Sequence, residues 1–338
     1  MRINKRTIFV ICITLLFVFL AFKDMRFGEF AKVVHEINYK LIWLIVPILI
    51  LSMFARGIRL HYLLSGKSGM NVSELTGVCF AGSALNICLP ARAGDFFRAY
   101  YLGEKNNSDK VKIFGSIVLE RIFDGLCVLG LLFIGIMFFS KNPLAMKLCT
   151  YAAVLFLGAL TIVIFLYKFN KTDAFCGFFI SLAQKLPLKI ANVLTKVISF
   201  INKILNSFIA GFEIINSPRM FFMVGFWSVV IWSIECLEFL VTIKSLGLDA
   251  GLSITLFIAP FIALASSIPS ASIFVGPYQW AVIQAMALYG IPKEPALVFG
   301  IVHPFIQSLT ITLIGFGVLF KNGINVRQIS EKAKEETK

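Results

Sequence analysis

The sequence is poor in charged residues. Asp, Glu, Lys and Arg make up 15% of its 338 residues, whereas soluble globular chains carry about 25%. Hydrophobic residues reach 58%, and the mean hydropathy is +0.86. This composition excludes an ordinary soluble domain, so we predict an all-α polytopic membrane protein.

Residues that serve catalysis or metal binding are also scarce. The chain has three histidines and seven scattered cysteines, with no C-x-x-C spacing. It lacks H-E-x-x-H and G-x-S-x-G, which argues against zinc proteolysis and serine hydrolysis. We therefore expect reduced, packed cysteines, no metal and no cofactor. A carboxylate-based transferase stays open, although a protein that is not an enzyme is the preferred prediction.

Positive charge is in excess, with a formal net charge of +14. No basic block alternates with polar and aromatic residues in a soluble module, so a nucleic-acid partner is not expected. The excess instead indicates membrane topology, because cytoplasmic loops are enriched in Lys and Arg.

Six stretches have the roughly 17 to 25 apolar residues that a membrane-crossing helix needs: 7–22, 40–64, 112–139, 146–168, 219–244 and 295–320. The first lacks a signal-peptidase site, so we expect it to be retained. Six crossings leave both ends on one side. That side is predicted to be cytoplasmic, at the inner membrane, from Arg2, Lys5, Arg6, Arg56, Arg59, Lys67, Lys168, Lys171, Lys321 and Arg327.

Two further apolar segments, 72–104 and 252–292, are interrupted at LPARAGD and IPSASIFVGP. Each is predicted to be a re-entrant helical hairpin, a kind of broken helix that lines binding sites in transporters. A first repeat at about 40–139 and a second at about 219–320 would then be inverted copies. Any six-span protein with two proline breaks would give the same pattern.

Lysines recur every three or four residues along 172–217, with apolar residues between them. This pattern favours a cytoplasmic amphipathic helix on the inner leaflet, and a bent seventh crossing is the alternative. We expect one integral membrane domain, 1–322, followed by a cytoplasmic tail, 323–338.

Charged groups inside spans are costly, at about 2.5 to 3.5 kcal/mol each, and need partners or a wet cavity. Arg56 and Arg59 are two such charges, at the inner end of the second span. The predicted substrate-binding residues are others: Arg92, Asp95, Arg98, Glu120, Arg121, Asp124, Gln279 and His303. The i,i+3 spacing would let Asp95 hold both Arg92 and Arg98. Gly94 would allow close backbone approach, and the guanidinium groups suit a phosphate. Ion pairs that only hold helices together are the alternative.

Three residues in the second half could serve ion coupling. Glu235 and Glu238 are candidate sites for protons or cations. His303 precedes Pro304 and is a candidate proton relay or ligand, or else a hydrogen-bonded histidine at a helix kink.

Two segments carry a resemblance to a known family. LPARAGDFFRAYYL at 89–102, followed by SIVLERIFDGL at 116–126, resembles the signature of the flippase-like family named after the transmembrane region of lysylphosphatidylglycerol synthase. Residues 268–305 resemble that family's second motif, and the likeness covers essentially the whole chain. It directs attention to the charged residues of the first motif and to Pro269 and Gly276.

The resemblance implies that the chain handles lipids. In bifunctional relatives this region translocates an aminoacylated phospholipid, and other members accompany enzymes of lipid-linked sugar assembly. We therefore expect a flippase for an anionic phospholipid or a polyprenyl-phosphate-linked lipid, with a lipid-modifying or glycosyl-transferring enzyme as a candidate partner. No synthase domain follows residue 320, so synthesis of the aminoacyl lipid is not expected. Tyr278-Gln279 replaces the Phe-Glu found in many relatives, which leaves the substrate open.

Overall fold

A computed structural model describes residues 16–23, 25–64, 69–89, 92–139, 217–249, 251–265 and 276–323, with isolated positions between 150 and 202. The regular structure in these residues is α-helical. After a helical segment at 16–22, the helices are α1 Phe27–His35, α2 Tyr39–Ile42, α3 Ile45–Leu63, α4 Val72–Cys88, α5 Ala93–Lys105, α6 Lys110–Phe139, α7 Pro218–Ser245, α8 Leu252–Ala265, α9 Pro277–Ala287 and α10 Lys293–Lys321.

Three helical stretches in the described residues are long and apolar enough to cross a membrane: Tyr39–Leu63, which joins α2 and α3, together with α7 and α10. They coincide with three of the predicted crossings, so the prediction of an all-α membrane protein is confirmed. The predicted crossing at 112–139 lies in α6, whose 30 residues span about 45 Å at 1.5 Å per residue.

The remaining predicted elements lie wholly or largely outside the described residues. These are the crossings at 7–22 and 146–168, the amphipathic helix at 172–217 and the tail at 323–338. The predicted domain limits, repeat boundaries and cytoplasmic ends also stay predictions.

Both interrupted segments form pairs of short helices. The first pair, α4 and α5, is broken where Leu89 is extended and Arg92 adopts the left-handed conformation, with φ 53°. Leu89 precedes Pro90, which disfavours helical geometry at the preceding residue. In the second pair, Gly276 has φ 89° and Pro277 begins α9. A positive φ favours glycine, and proline fits the first helical position because it has no N–H to leave unsatisfied.

The two broken pairs enter the helix bundle from opposite ends. The backbone N–H of Asn38 donates to Ser245, while Arg59 contacts Ser228, so α3 and α7 are antiparallel. The first pair starts beyond the end of α3 and returns to the start of α6, across residues 106–109. The second pair starts beyond the end of α7 and returns to the start of α10. The inverted repeat itself stays a prediction.

The largest apolar core lies in the second half and joins α7, α8, α9 and α10 to the start of α3. Separate smaller apolar clusters lie between α3, α4, α5 and α6 and between α3, α6 and α7. Charged side chains occupy the space between these apolar clusters, and they form the site described next.

Candidate functional site

Arg59 is at the centre of a buried ion-pair cluster. Its side chain is 0% exposed and lies on α3 between α6 and α7. It donates through Nη2 to Glu120 Oε1 at 2.7 Å and through Nη1 to Asp124 Oδ1 at 2.5 Å. Nη1 also lies 2.8 Å from the Ser228 hydroxyl. One planar guanidinium therefore ties together three helices.

Glu120 is shared among three arginines. Its Oε2 accepts from Arg98 Nη2 at 2.8 Å, and its Oε1 accepts from Arg59 and, at 3.4 Å, from Arg121. Arg98 on α5 passes beside Gly82 of α4, where an added Cβ would lie 2.5 Å from Arg98 Cδ. The absence of a side chain at Gly82 therefore makes room for the buried arginine.

Asp95 has two arginine neighbours, but they differ from the pair expected from the i,i+3 spacing. Its Oδ1 lies 3.8 Å from both Arg98 Nη1 and Arg121 Nη2, and it accepts from Asn86 Nδ2 at 3.2 Å. Arg92 caps α5 in a left-handed conformation and is exposed. Among the described residues, the Arg92 side chain has no ion-pair or hydrogen-bond partner. The ion pair between Arg92 and Asp95 that helical spacing predicted is therefore not formed in the described residues.

Gly94 lies where α4 and α5 are in close contact. A Cβ at this position would lie 1.8 Å from the backbone oxygen of Gly82. The N–H of Gly94 also donates to Asn86 Oδ1 at 2.8 Å. The glycine therefore allows the backbones of α4 and α5 to come into contact next to the break between the two helices.

The cluster carries a surplus of positive charge. The four arginines Arg59, Arg92, Arg98 and Arg121 face the three carboxylates of Asp95, Glu120 and Asp124, which leaves one positive charge. Arg121 is 35% exposed and reaches Asp124 at 3.4 Å. Arg92 is close enough to Arg121, Asp95 and Asp124 to interact with them electrostatically. The surplus therefore lies at the exposed margin of the cluster.

The candidate coupling residues differ in their partners. Glu235 accepts from Arg56 Nη2 at 2.8 Å and from the Ser52 hydroxyl at 3.3 Å, so it is paired across the α3–α7 interface. Glu238 is 0% exposed, and its Oε2 accepts only a long bond, at 3.4 Å, from Gln307 Nε2. Its Oε1 is buried and has no hydrogen-bond partner among the described residues.

His303 and Gln279 both bond to other parts of the protein. His303 Nδ1 lies 2.9 Å from the Thr242 hydroxyl, and its ring stacks on Phe299. Gln279 accepts from the N–H of Gly276 at 2.8 Å and donates to the carbonyl of Gly300 at 2.8 Å. These bonds place Gln279 as a cap of α9 and a link to α10. The predicted substrate roles of both residues stay predictions.

A cavity of about 230 Å³ lies between α4, α5 and α10, at the end of the bundle where α5 and α10 finish. Its rim carries Lys105, Lys321 and Glu74, and apolar side chains such as Phe97 and Val318 line the interior. Phe97 and Arg98 are consecutive on α5, so one turn of that helix contributes to both the cavity and the ion-pair cluster.

No three His, Cys, Asp or Glu side chains converge as metal ligands within the part of the chain that the structure describes. The prediction that the protein uses no metal or cofactor stays a prediction.

Sequence reasoning placed Arg59 among the costly charges of the second span but not among the binding residues. It also counted Arg59 toward the cytoplasmic charge bias, although a fully buried, paired arginine adds nothing to surface charge. The sequence did contain one signal for Arg59: arginines outnumber the nearby carboxylates in the first half. Asn86 and Ser228 had no comparable signal, because polar uncharged residues are tolerated in membrane helices.

Comparisons with known proteins agree with the resemblance seen in the motifs. The glycosyltransferase AglD of Haloferax volcanii is 24% identical over 375 aligned residues, which cover 99% of this chain and 57% of the relative. The chain thus spans little more than half of that relative. The membrane protein MJ1078 of Methanocaldococcus jannaschii, described as UPF0104, is 26% identical over 75% of this chain and 98% of its own length.

No solved structure matches the chain. The family model described as the lysylphosphatidylglycerol synthase TM region matches residues 7–315, which include the ion-pair cluster and both broken helix pairs. The chain therefore belongs to the lysylphosphatidylglycerol synthase TM region family.

Proposed function

We propose that this membrane protein binds the anionic headgroup of a lipid at the break between α4 and α5 and moves the lipid between leaflets. The observation that carries the proposal is Arg92. It is exposed and has no ion-pair or hydrogen-bond partner in the described residues, and its charge is the one by which the arginines of the cluster outnumber the carboxylates.

The chemistry of the margin favours a phosphate. A guanidinium offers two parallel N–H donors that match two phosphate oxygens. Arg92 and the partly exposed Arg121 would contribute such donors, while Arg59 and Arg98 remain engaged with Glu120. An anion bound there would neutralise the surplus charge and repay the cost of holding Arg92 at membrane depth.

The broken helix pairs support movement rather than static binding. They enter from opposite ends of the bundle, as in transporters whose inverted halves rock around a central site. We propose that both pairs are re-entrant, that the repeats lie at about 40–139 and 219–320, and that both termini face the cytoplasm at the inner membrane.

The cavity between α4, α5 and α10 supports an entry route. Lys105 and Lys321 would attract a phosphate at headgroup level, and the apolar lining would accept the first carbons of the lipid chain. The substrate class is therefore an anionic phospholipid or a polyprenyl-phosphate-linked lipid.

The name of the Haloferax relative, a glycosyltransferase, supports a second candidate function. In that case this chain would act in lipid-linked glycan assembly, as a lipid-modifying enzyme or as its membrane partner. An enzyme changes the lipid molecule, whereas a flippase changes only its leaflet. Chemical analysis of labelled lipid after incubation with the protein separates these two functions.

The decisive test is a leaflet-accessibility assay on protein reconstituted with tagged anionic phospholipid, tagged prenyl-phosphate lipid or tagged zwitterionic phospholipid. We expect one anionic class to cross with the wild type. Arg92→Ala should lower its rate by roughly 10- to 100-fold, since a hydrogen bond to a charged group contributes about 1.5 to 3 kcal/mol.

Arg219→Ala is the matched control, because it removes an exposed arginine from the start of α7, outside the cluster. It should transport like the wild type. Equal loss in both variants, or no crossing of any lipid with the wild type, would overturn the proposed function.

A further inference from the structure

We propose that Glu238 is a proton-binding site whose protonation and deprotonation drive lipid movement. The inference rests on the proposed function and adds its energy source. It starts from a difference among the buried and partly buried carboxylates of the bundle. Asp95, Glu120, Asp124 and Glu235 each have an arginine within 4 Å, and Glu238 has none among the described residues.

The geometry around Glu238 fits a neutral acid. Oε2 accepts one N–H from Gln307, and Oε1 has no donor, although the side chain is 0% exposed. An ionised carboxylate needs paired charge and several donors when it is removed from water, whereas a neutral acid needs much less. The arrangement in the structure therefore corresponds to the proton-loaded form.

The groups that face Glu238 from the neighbouring helices do not supply a replacement for the proton. They are Arg56 of α3, Glu235 of α7 itself, Tyr278 of α9, and His303 and Gln307 of α10. Arg56 is the cation within electrostatic reach, and it is already bonded to Glu235. His303 is directed toward Thr242, whose hydroxyl donates to the backbone carbonyl of Glu238.

Arg56 supplies the link to the lipid site. It interacts electrostatically with Asp124 of the ion-pair cluster and is bonded to Glu235 across the α3–α7 interface. When Glu238 releases its proton to water, the new negative charge competes with Glu235 for Arg56. A shift of Arg56 changes the contact between the two halves. Coupling requires an element with two states, and the two positions of Arg56, beside Glu235 or beside Glu238, would provide it.

The proton is a better fit than a metal cation. Cations such as Ca²⁺ need several converging oxygen ligands, but the side-chain hydrogen bond that another helix supplies to Glu238 among the described residues comes from an amide nitrogen that donates. A carboxylic acid uses one oxygen to accept this bond and holds its proton on the other.

The test is infrared difference spectroscopy of the purified protein in lipid nanodiscs, recorded over a pH titration. We expect a protonated carboxyl C=O band that disappears as the pH rises. The band should be absent from Glu238→Gln. In Glu235→Gln it should remain but disappear at a lower pH, because Arg56 loses its partner there and becomes available to an ionised Glu238. A band that persists unchanged in Glu238→Gln, or the absence of any titrating band in the wild type, would refute the inference.

A transport measurement then tests the coupling. Under an imposed pH gradient, the wild type should accumulate tagged lipid in one leaflet, and Glu238→Gln should lose that gradient-driven component. Full retention of the gradient response in Glu238→Gln overturns the coupling role. If the wild type moves no lipid at all, the proposed function fails, while the infrared titration still decides whether Glu238 binds a proton.

Glutamine has the volume of the protonated acid, so Glu238→Gln should melt close to the wild type. Should it fail to fold, Glu238→Asp replaces it, because this change keeps the carboxyl group and moves it relative to Gln307. The midpoint of the infrared band should then shift, and an unshifted midpoint counts against the inference.

Discussion

Replacing Arg59 by methionine tests whether the ion-pair cluster holds the helices together. The variant has a side chain of similar length but no charge, and it removes the bonds to Glu120, Asp124 and Ser228. Removing one partner of a buried ion pair costs about 3 to 5 kcal/mol, because the other charge stays buried without compensation. We expect a loss in that range.

The loss should not double, although Arg59 has two carboxylate partners. Glu120 would keep Arg98 at 2.8 Å, so its charge remains compensated. Among the described residues, Asp124 would keep one ion pair, with the partly exposed Arg121 at 3.4 Å. Most of the lost free energy of unfolding should therefore come from Asp124, whose buried charge is left poorly compensated. Adding Asp124→Asn to Arg59→Met should recover part of the stability, since contacting residues couple by about 0.5 to 3 kcal/mol.

The assay is the free energy of unfolding by denaturant titration in mixed micelles, supported by thermal melting followed by tryptophan fluorescence. Arg59→Lys keeps the charge but loses the planar fork, so it should be intermediate, about 1 to 3 kcal/mol below the wild type. Arg92→Ala removes the same charge from an exposed site and should stay within about 0.5 kcal/mol of the wild type.

The reasoning is refuted if Arg59→Met unfolds like the wild type, since the cluster would then contribute nothing to stability. It is also refuted if Arg92→Ala is as unstable as Arg59→Met. In that case the loss of one positive charge, rather than the buried geometry, would explain both results.

The remaining predictions concern helix packing and the cavity. Gly94→Ala should destabilise the protein by about 1 to 3 kcal/mol, because the new methyl group overlaps the backbone of α4. Gly317 has open space around it, so Gly317→Ala should leave the free energy of unfolding unchanged or raise it by up to about 1 kcal/mol. Equal melting temperatures of the two variants would contradict the expectation for Gly94. Replacing both Lys105 and Lys321 by alanine should weaken binding of anionic lipid by up to roughly 30-fold, since each lysine near a headgroup contributes about 1 kcal/mol. Native mass spectrometry measures this loss, and an equal loss for a zwitterionic lipid would argue against a headgroup site.

The helices were largely predictable because their signals are local. Apolar runs predicted the crossings that appear as α2–α3, α7 and α10, and the two proline-containing interruptions predicted the broken pairs. The conformation at the first break was only partly predictable. Helical i,i+3 spacing predicted an ion pair between Arg92 and Asp95, whereas Arg92 adopts a left-handed backbone and forms no ion pair among the described residues.

The sequence alone determined that this protein is an all-α membrane protein, because lipid offers backbone groups no partner outside the helix, and it showed which charged residues stand inside apolar segments. Only the tertiary structure decided how those charges pair. Arg59, Glu120 and Ser228 come from three helices that are distant in sequence, so no local spacing could join them. The same packing left Arg92 exposed without a bonded partner and Glu238 without a cation among the described residues, because ion-pair geometry depends on which helix faces meet.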